Sequence, residues 1–216
     1  MPSELDDDLA VFTEPASVAL HAYKIATQDR TFDTVIILGL GPIGILIASW
    51  CKLNKIKNVI GIDRNENRFK NFLDLGYNNI INTKKDDFEE KIRKYTLQNG
   101  AEVAFECSGS EELLNKGIQG LKKSGKIVIV SNQIKETSLS HPTLNKILRQ
   151  EIQIKGSWSS VIEPHNEWEE SLDMINQNKL IIKNLISHHY SFSDAPHIFK
   201  SMYYKKFKYS KIVLSP

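Results

Sequence analysis

Short apolar runs alternate with amphipathic stretches along most of this 216-residue chain. Apolar runs without polar alternation are typical of strands that are buried on both faces of a parallel sheet. They predict six strands, at residues 35–39, 58–62, 80–81, 103–106, 126–130 and 152–157. Helical spacing of apolar residues predicts the helices between them, at residues 42–53, 65–75, 86–98, 111–121 and 144–150. This alternation predicts an α/β fold with a doubly wound, six-stranded parallel sheet and right-handed crossovers.

The two ends of the chain fall outside this alternation. Residues 1–30 contain an acidic lead and then a helix, whose start is marked by Pro15. Residues 31–183 contain the six strands and a further helix at 166–177. Residues 184–216 contain two more apolar strands, around Leu185 and at 211–214, with a helix between them. These three segments are the predicted domain organisation, and the last two strands are not part of the six-stranded sheet.

The first predicted strand runs directly into a glycine-rich turn and a helix. Gly39, Gly41 and Gly44 form the pattern G-x-G-x-x-G of Rossmann dinucleotide-binding domains. The first glycine permits a tight turn, the second lets a pyrophosphate approach the backbone, and the third lets helix and strand pack closely. Pro42 and Ile43 begin the helix, whose free N–H groups are suited to phosphate. Small residues also collect at such turns for packing reasons alone, so the pattern needs its context.

That context includes an acid at the end of the second predicted strand. Asp63 lies a little beyond the roughly 20-residue spacing expected for the carboxylate that binds the adenosine ribose. A carboxylate there repels the 2′-phosphate of NADP, which favours NAD, whereas the neighbouring Arg64 and Arg68 favour NADP. The sequence therefore predicts NAD as the cofactor. The alternative is that Asp63 merely caps the next helix.

Composition and charge exclude several classes of protein. Hydrophobic residues are 41% and charged residues 25% of the chain, and no apolar run reaches the roughly 18 residues of a membrane helix. The net charge of +2 comes from basic residues scattered among acids, which disfavours nucleic acid as a partner. Cys51 and Cys107 are the only cysteines, so a disulfide framework is not expected. With no export signal at the N-terminus, the prediction is a cytoplasmic protein.

Cys107 and Ser108 follow the fourth predicted strand. Open α/β sheets bind ligands beyond the carboxyl ends of their strands, so both residues are predicted to contact the cofactor. Cys107 is also a candidate nucleophile, but the sequence places no base beside it. The alternative is a small buried hydrophobe.

Five segments in a fixed order resemble the zinc-dependent medium-chain dehydrogenase/reductase family. They are EPASVALHAY at 14–23, VIILGLGPIG at 35–44, GIDRNENR at 61–68, FECSG at 105–109 and GKIVIVS at 125–131. The run ILRQEIQIKGSW at 147–158 is most similar to the branch that acts on galactitol 1-phosphate, followed by the sorbitol and threonine dehydrogenases. The resemblance covers nearly the whole chain.

The resemblance implies further site residues. Backbone groups at the end of the fifth strand are expected to bind the nicotinamide carboxamide, and the end of the sixth strand is expected to line the nicotinamide or substrate pocket. The corresponding residues here are Val130, Ser131 and Asn132, and then Gly156, Ser157 and Trp158. Glu14 matches a glutamate in or beside the zinc shell of the polyol dehydrogenases. The alternative for residues 130–132 is an ordinary exit from a strand, and the alternative for Trp158 is a core residue. The alternative for Glu14 is an acid that stabilises the N-terminus of a helix.

The resemblance also implies the chemistry and a departure from it. In the family, the substrate alcohol binds zinc, and hydride passes to C4 of the nicotinamide. Members begin with a catalytic domain of GroES-like fold that carries most of the zinc ligands, and this sequence starts where that domain is expected to end. Residues 1–30 then correspond to a lead and an interdomain helix, and residues 184–216 to the return of the chain to the catalytic domain. We expect either a fragment or a chain completed by a partner polypeptide.

The sequence and the resemblance together leave three alternative functions. The first is the coenzyme-binding part of a zinc-dependent, NAD-linked polyol or polyol-phosphate dehydrogenase, inactive alone and homo-oligomeric when complete, with residues 152–157 as the joining edge. The second is a stand-alone NAD-binding module or inert remnant, and the third is a zinc-free reductase of the same superfamily. The sequence assigns no catalytic residue. His188 and His189 are not predicted to bind one metal ion together, because adjacent residues of a strand point to opposite faces.

Overall fold

The computed structural model describes residues 5–28, 31–133 and 135–216, so residues 1–4 and 29–30 of the predicted lead lie outside it. Its main sheet has six parallel strands in the order β3-β2-β1-β4-β5-β6. The strands are β1 (Thr34–Leu38), β2 (Asn58–Asp63), β3 (Asn79–Asn82), β4 (Ala101–Glu106), β5 (Leu121–Ile129) and β6 (Gln153–Gly156). The predicted fold class is therefore confirmed.

Helices precede, connect and follow these strands. They are α1 (Asp7–Ala10), α2 (Thr13–Thr27), α3 (Pro42–Leu53), α4 (Phe69–Asp74), α5 (Phe88–Tyr95), α6 (Glu111–Gln119), α7 (His141–Gln150), α8 (Glu167–Asn176) and α9 (Ala195–Tyr203). In the described part of the chain, no helix has the length and hydropathy needed to cross a membrane.

Strand β1 explains why the sheet is covered on both sides. Val35 and Ile37 belong to one buried core, which also contains apolar residues of α2 and α3. Ile36 and Leu38 belong to a second core, which contains apolar residues of α5 and α6. Because successive side chains of a strand point to opposite faces, an unbroken apolar run requires a helical layer on each face.

Element boundaries depart from the prediction where local backbone chemistry decides. Helix α5 ends before residue 98 because Leu97 and Gln98 have φ values of 51° and 69°, which a right-handed helix excludes. Helix α7 begins three residues before the predicted start, because the Ser140 side chain caps it and Pro142 fits its first turn. Leu185 lies in a 3₁₀ turn rather than in a strand.

The C-terminal segment forms a small sheet of its own. Strands β7 (Ile186–Ser191) and β8 (Lys211–Ser215) pair in parallel, with α9 between them along the chain. The last two strands thus lie outside the six-stranded sheet, as predicted. Leu185, immediately before β7, packs into the same core as Val35 and Ile37. The proposed boundaries at residues 30 and 183 stay a prediction.

Candidate functional site

The candidate site lies at the carboxyl edge of the sheet, between the ends of β1 and β4. The chain builds β1, β2 and β3 in one direction and then returns to place β4 on the other side of β1. Loops that leave such a switch point diverge and open a crevice. Here the two loops touch at its base, because a Cβ atom on Gly39 would lie 3.0 Å from Cβ of Ser108.

A different physical feature explains the glycine at each of three positions in the loop after β1. Gly39 has a φ of +97°, in the left-handed region that favours glycine. A Cβ atom on Gly44 would lie only 2.0 Å from the backbone oxygen of Gly39, so the close contact between the helix and the turn leaves no room for a side chain at this position. A Cβ atom on Gly41 would meet nothing within 4 Å. Gly41 therefore borders open space, as a loop approached by a ligand requires.

Helix α3 presents its N-terminus to that space. Gly41 is the N-cap without a side-chain cap, Pro42 occupies the first turn, and the first turn has no acidic residue. Pro42 has no N–H group, and the N–H groups of Ile43 and Gly44 lie in the first turn, where an α-helix provides no acceptor for them. Together with the positive end of the helix dipole, these groups suit an anion such as a pyrophosphate.

Asp63 is buried beside this loop. Its Oδ2 atom accepts a hydrogen bond of 2.9 Å from the Leu40 amide, and its Oδ1 atom accepts one of 2.8 Å from the Asn65 amide. The Nη1 atom of Arg68 lies 3.2 Å from Oδ2, whereas Arg64 is exposed. Asn65, whose side chain accepts from the Asn67 amide, is the residue that caps the following 3₁₀ turn. Asp63 therefore faces the glycine loop rather than acting as that cap.

Cys107 lies half-buried after β4, and its amide donates a 2.9 Å hydrogen bond to the Leu38 carbonyl. Burial, with a contribution from the Glu106 charge, raises the pKa of the Cys107 thiol well above its ordinary value. A raised pKa disfavours the thiolate, which is the nucleophilic form. The environment thus favours a packing role over a nucleophilic one.

Sequence reasoning missed Glu106, the last residue of β4. Its carboxylate is fully buried and accepts hydrogen bonds from Ser108 and Gly109 in its own loop and from Ser131 and Gln133 after β5. One signal was present in the sequence. Glu106 is a charged residue that ends the apolar run 103–105, directly before a predicted binding loop.

The predicted residues after β5 lie next to Glu106. The amides of Val130 and Ser131 donate to the Glu106 backbone oxygen at 2.9 and 3.1 Å, so their N–H groups are already used. The carbonyl oxygens of this segment, which continues to Asn132, are then the groups suited to the NH₂ of a carboxamide.

The end of β6 adds a second polar surface. Gly156 is exposed, and the buried Ser157 hydroxyl has no hydrogen-bond partner among the described residues. The Ser157 amide donates 2.9 Å to the Ile129 carbonyl, which places it beside the end of β5. Trp158 is 79% exposed, so the alternative that it is a core residue is wrong.

The described residues fit a dinucleotide but not a zinc ion. The open space at Gly41, the helix N-terminus and the adjacent Asp63 carboxylate match a pyrophosphate and a ribose. Glu14 is exposed in the first turn of α2. Within residues 5–28, 31–133 and 135–216, no three His, Cys, Asp or Glu side chains are grouped to hold a metal. A catalytic zinc needs about three protein ligands.

Known proteins resemble the chain in sequence and fold. A family model described as zinc-binding dehydrogenase matches residues 42–177. Sorbitol dehydrogenase of Halalkalibacterium halodurans is 31% identical over 209 residues, which are 93% of this chain and 58% of that protein. D-xylulose reductase of Saccharomyces cerevisiae is 28% identical over 204 residues, which are 93% of this chain and 55% of that protein.

A solved structure gives the same fold. The crystal structure of galactitol-1-phosphate dehydrogenase from Escherichia coli matches 100% of this chain and 62% of that one, with a TM-score of 0.89 and 23% sequence identity. At this identity the likeness shows the fold alone. The chain spans a little over half the length of the curated relatives that it matches, 58% and 55% of the two above.

Proposed function

This chain belongs to the family of zinc-binding dehydrogenases, and from that premise we propose that it is the coenzyme-binding part of a zinc-dependent, NAD-linked polyol or polyol-phosphate dehydrogenase. The observation that carries the proposal is the buried Asp63 carboxylate against the amide of Leu40 in the glycine loop. The substrate class is supported by the sequence likeness to a sorbitol dehydrogenase and to a D-xylulose reductase.

The proposed roles of the residues follow the crevice from one end to the other. The N-terminus of α3 holds the pyrophosphate through Gly41, Ile43 and Gly44, and Asp63 accepts hydrogen bonds from the adenosine ribose hydroxyls. Cys107, Ser108, the 130–132 segment and residues 156–157 orient the nicotinamide half. NAD, when bound, supplies a hydride acceptor at C4 of its nicotinamide ring.

The zinc in this proposal rests on family membership. We propose that Glu14 lies beside the metal and that the other ligands lie outside the described residues. Metal analysis of an active enzyme that contains this chain separates a zinc enzyme from a zinc-free reductase of the same superfamily.

Calorimetric titration of the chain with NAD and with NADP tests the coenzyme function. We expect NAD to bind more tightly, because the Asp63 carboxylate opposes the 2′-phosphate of NADP. Tighter binding of NADP would contradict the role given to Asp63. Absence of binding by both dinucleotides would overturn the coenzyme function and leave an inert remnant.

A fusion protein tests the substrate class. The catalytic part of the H. halodurans sorbitol dehydrogenase is joined upstream of this chain, and NAD reduction is followed with galactitol 1-phosphate, sorbitol and threonine. We expect turnover with a polyol or its phosphate, and none by the unfused chain. If the unfused chain binds NAD but the fusion is inactive with all three substrates, a stand-alone NAD-binding module is favoured and the substrate proposal is removed.

We also propose that a complete enzyme is a homo-oligomer joined at β6. This strand is one of the two edges of the sheet, and all four of its residues are exposed. Sedimentation of an active fusion is expected to give a dimer or larger species that Ile154→Asp dissociates. Ile162→Asp, which changes an exposed apolar residue outside the sheet, is the matched control. A monomeric fusion would contradict this proposal.

A further inference from the structure

We infer that Glu106 is a positioning residue that fixes the loops after β4 and β5 in the arrangement that holds the nicotinamide half of the coenzyme, a role that rests on the proposed function. The inference starts from burial. Glu106 is fully buried at the carboxyl end of β4, on the edge of the sheet that carries the candidate site. A buried carboxylate persists only where donors replace its lost hydration.

The donors come from two separate loops. Oε1 of Glu106 accepts from the Ser108 amide at 2.8 Å, from the Ser108 hydroxyl at 2.5 Å and from the Gly109 amide at 3.0 Å. Oε2 accepts from the Ser131 hydroxyl and from Nε2 of Gln133 at 3.2 Å. One carboxylate therefore joins residues that lie up to 27 positions away in sequence.

Further contacts extend this network to the backbone. The Gly109 amide also donates to the Ser131 hydroxyl at 2.8 Å, so this hydroxyl accepts from one loop while it donates to Glu106. The backbone oxygen of Glu106 accepts from the Val130 and Ser131 amides. Ser108 lies against Gly39, so the same network reaches the pyrophosphate loop.

These five donors are amides, hydroxyls and a carboxamide, and none belongs to lysine or arginine. Glu102 on the same strand is different, because its partners include the ammonium of Lys122 at 2.8 Å. Several neutral donors that converge on one buried carboxylate hold the backbone segments that carry them in place. The position of the network, between the two loops assigned to the nicotinamide, makes it a device for orienting that half of the coenzyme.

The test compares a whole coenzyme with its adenosine half. Kd values for NADH and for ADP-ribose are measured by calorimetry with the full chain and with Glu106→Gln, and the fluorescence of bound NADH reports the nicotinamide environment. Glutamine keeps the size of the side chain but puts an NH₂ group in place of one carboxylate oxygen, and both oxygens already accept from donors. We expect the Kd for NADH to rise about tenfold, because hydrogen bonds to a buried charge are lost, and the Kd for ADP-ribose to stay within about twofold.

Two further variants serve as a second test of the network and as a matched control. Ser131→Ala removes the hydroxyl that bridges the loops, leaves Glu106 in place and is expected to change the two affinities in the same unequal way, which covers the case in which Glu106→Gln fails to fold. Glu102→Gln makes the same substitution at the other end of β4 and is expected to leave both affinities unchanged.

The outcomes separate the inference from the proposed function. If the wild-type chain binds neither NADH nor ADP-ribose, the proposed function is overturned and the role of Glu106 with it. If the wild type binds both ligands but Glu106→Gln and Ser131→Ala weaken them equally or not at all, only the positioning role is overturned. A loss of NADH binding with ADP-ribose retained, together with a nicotinamide fluorescence shifted towards that of free NADH, supports it.

Discussion

Gly41 and Gly44 lie three positions apart in one loop, but an added methyl group has different consequences at each. Gly44→Ala drives a Cβ atom to 2.0 Å from the Gly39 oxygen, so we expect the free energy of unfolding to fall by about 1–3 kcal/mol or more. At Gly41 the backbone is extended and the space is open. Gly41→Ala should change the free energy of unfolding by less than about 1 kcal/mol.

Gly41→Ala is expected to affect NAD binding more than it affects stability. Its methyl group would occupy the space through which the pyrophosphate approaches the helix, so NAD should bind at least about tenfold more weakly although the fold is retained. Urea unfolding and calorimetric titration of both variants check the pair. Equal NAD affinity in Gly41→Ala and the wild type would show that the ligand does not approach this side of the loop.

Asp63→Asn tests coenzyme choice at a single residue. The amide keeps the size of the side chain but loses the charge that repels a 2′-phosphate and pairs with Arg68. We expect NAD to bind about tenfold more weakly and the ratio of NADP to NAD affinity to rise. Asp74→Asn changes an exposed carboxylate that pairs with Lys70 and serves as the control. An unchanged ratio of the two affinities would remove Asp63 from coenzyme selection.

At this scale, sequence reasoning identified the candidate residues that local spacing defines. The three glycines and Asp63 follow from a motif and a distance along the chain. Glu106 does not, because its partners are contributed by a second loop that meets it only in the folded sheet. Likewise, the use of the Val130 and Ser131 amides by Glu106 is a tertiary contact, so sequence alone did not separate the carbonyl groups from the amides there.

Secondary-structure elements were predictable where the apolar pattern was long and unambiguous. The order and type of the six strands and of the helices between them agree with the structure, because an unbroken apolar run has few alternatives to a buried strand. Boundaries were less predictable. The positive φ of Leu97 and the capping by Ser140 are set by turn geometry, which apolar spacing does not encode.

Glu102 joins elements at the amino edge of the sheet. Its Oε2 atom accepts from the amides of Asp33 and Thr34 at 2.6 and 2.8 Å, and Lys122 contacts its Oε1 atom. Burial raises the pKa of Glu102, but the hydrogen bonds from Lys122, Thr34 and Asp33 outweigh it, so the pKa lies below its ordinary value. One carboxylate thereby ties β4 to β5 and to the start of β1.

The lowered pKa predicts how stability depends on pH. A carboxyl whose pKa is lower in the folded chain stabilises the fold above its ordinary pKa of about 4.3, and this contribution is lost as the pH falls through the lowered value. Glu102→Gln should therefore be less stable than the wild type near neutral pH, and the difference should shrink on acidification. Urea unfolding at several pH values measures it, and a difference independent of pH would contradict the role of the charge.

The candidate site forms at one edge of the sheet because the carboxyl ends of the parallel strands all lie at that edge. Residues as far apart in sequence as Gly39 and Ser157 follow strands at that edge, while the opposite edge carries structural carboxylates such as Glu102. The six-stranded architecture followed from the sequence. The pairing of β7 with β8 and the packing of Leu185 into the main core depend on long-range contacts that no local pattern specifies.

Helix α9 presents an exposed aromatic surface, which predicts how the chain behaves on its own. Phe199 and Tyr203, one turn apart, are 60% and 81% exposed, and contiguous apolar surface of this kind promotes association. We expect the chain to bind a hydrophobic dye and to self-associate as its concentration rises, and the double variant Phe199→Ser with Tyr203→Ser to reduce both. Leu97→Ser, which changes an isolated residue that is 81% exposed, is the control. A monodisperse wild-type monomer that binds no dye would contradict this prediction, as would an equal effect of Leu97→Ser.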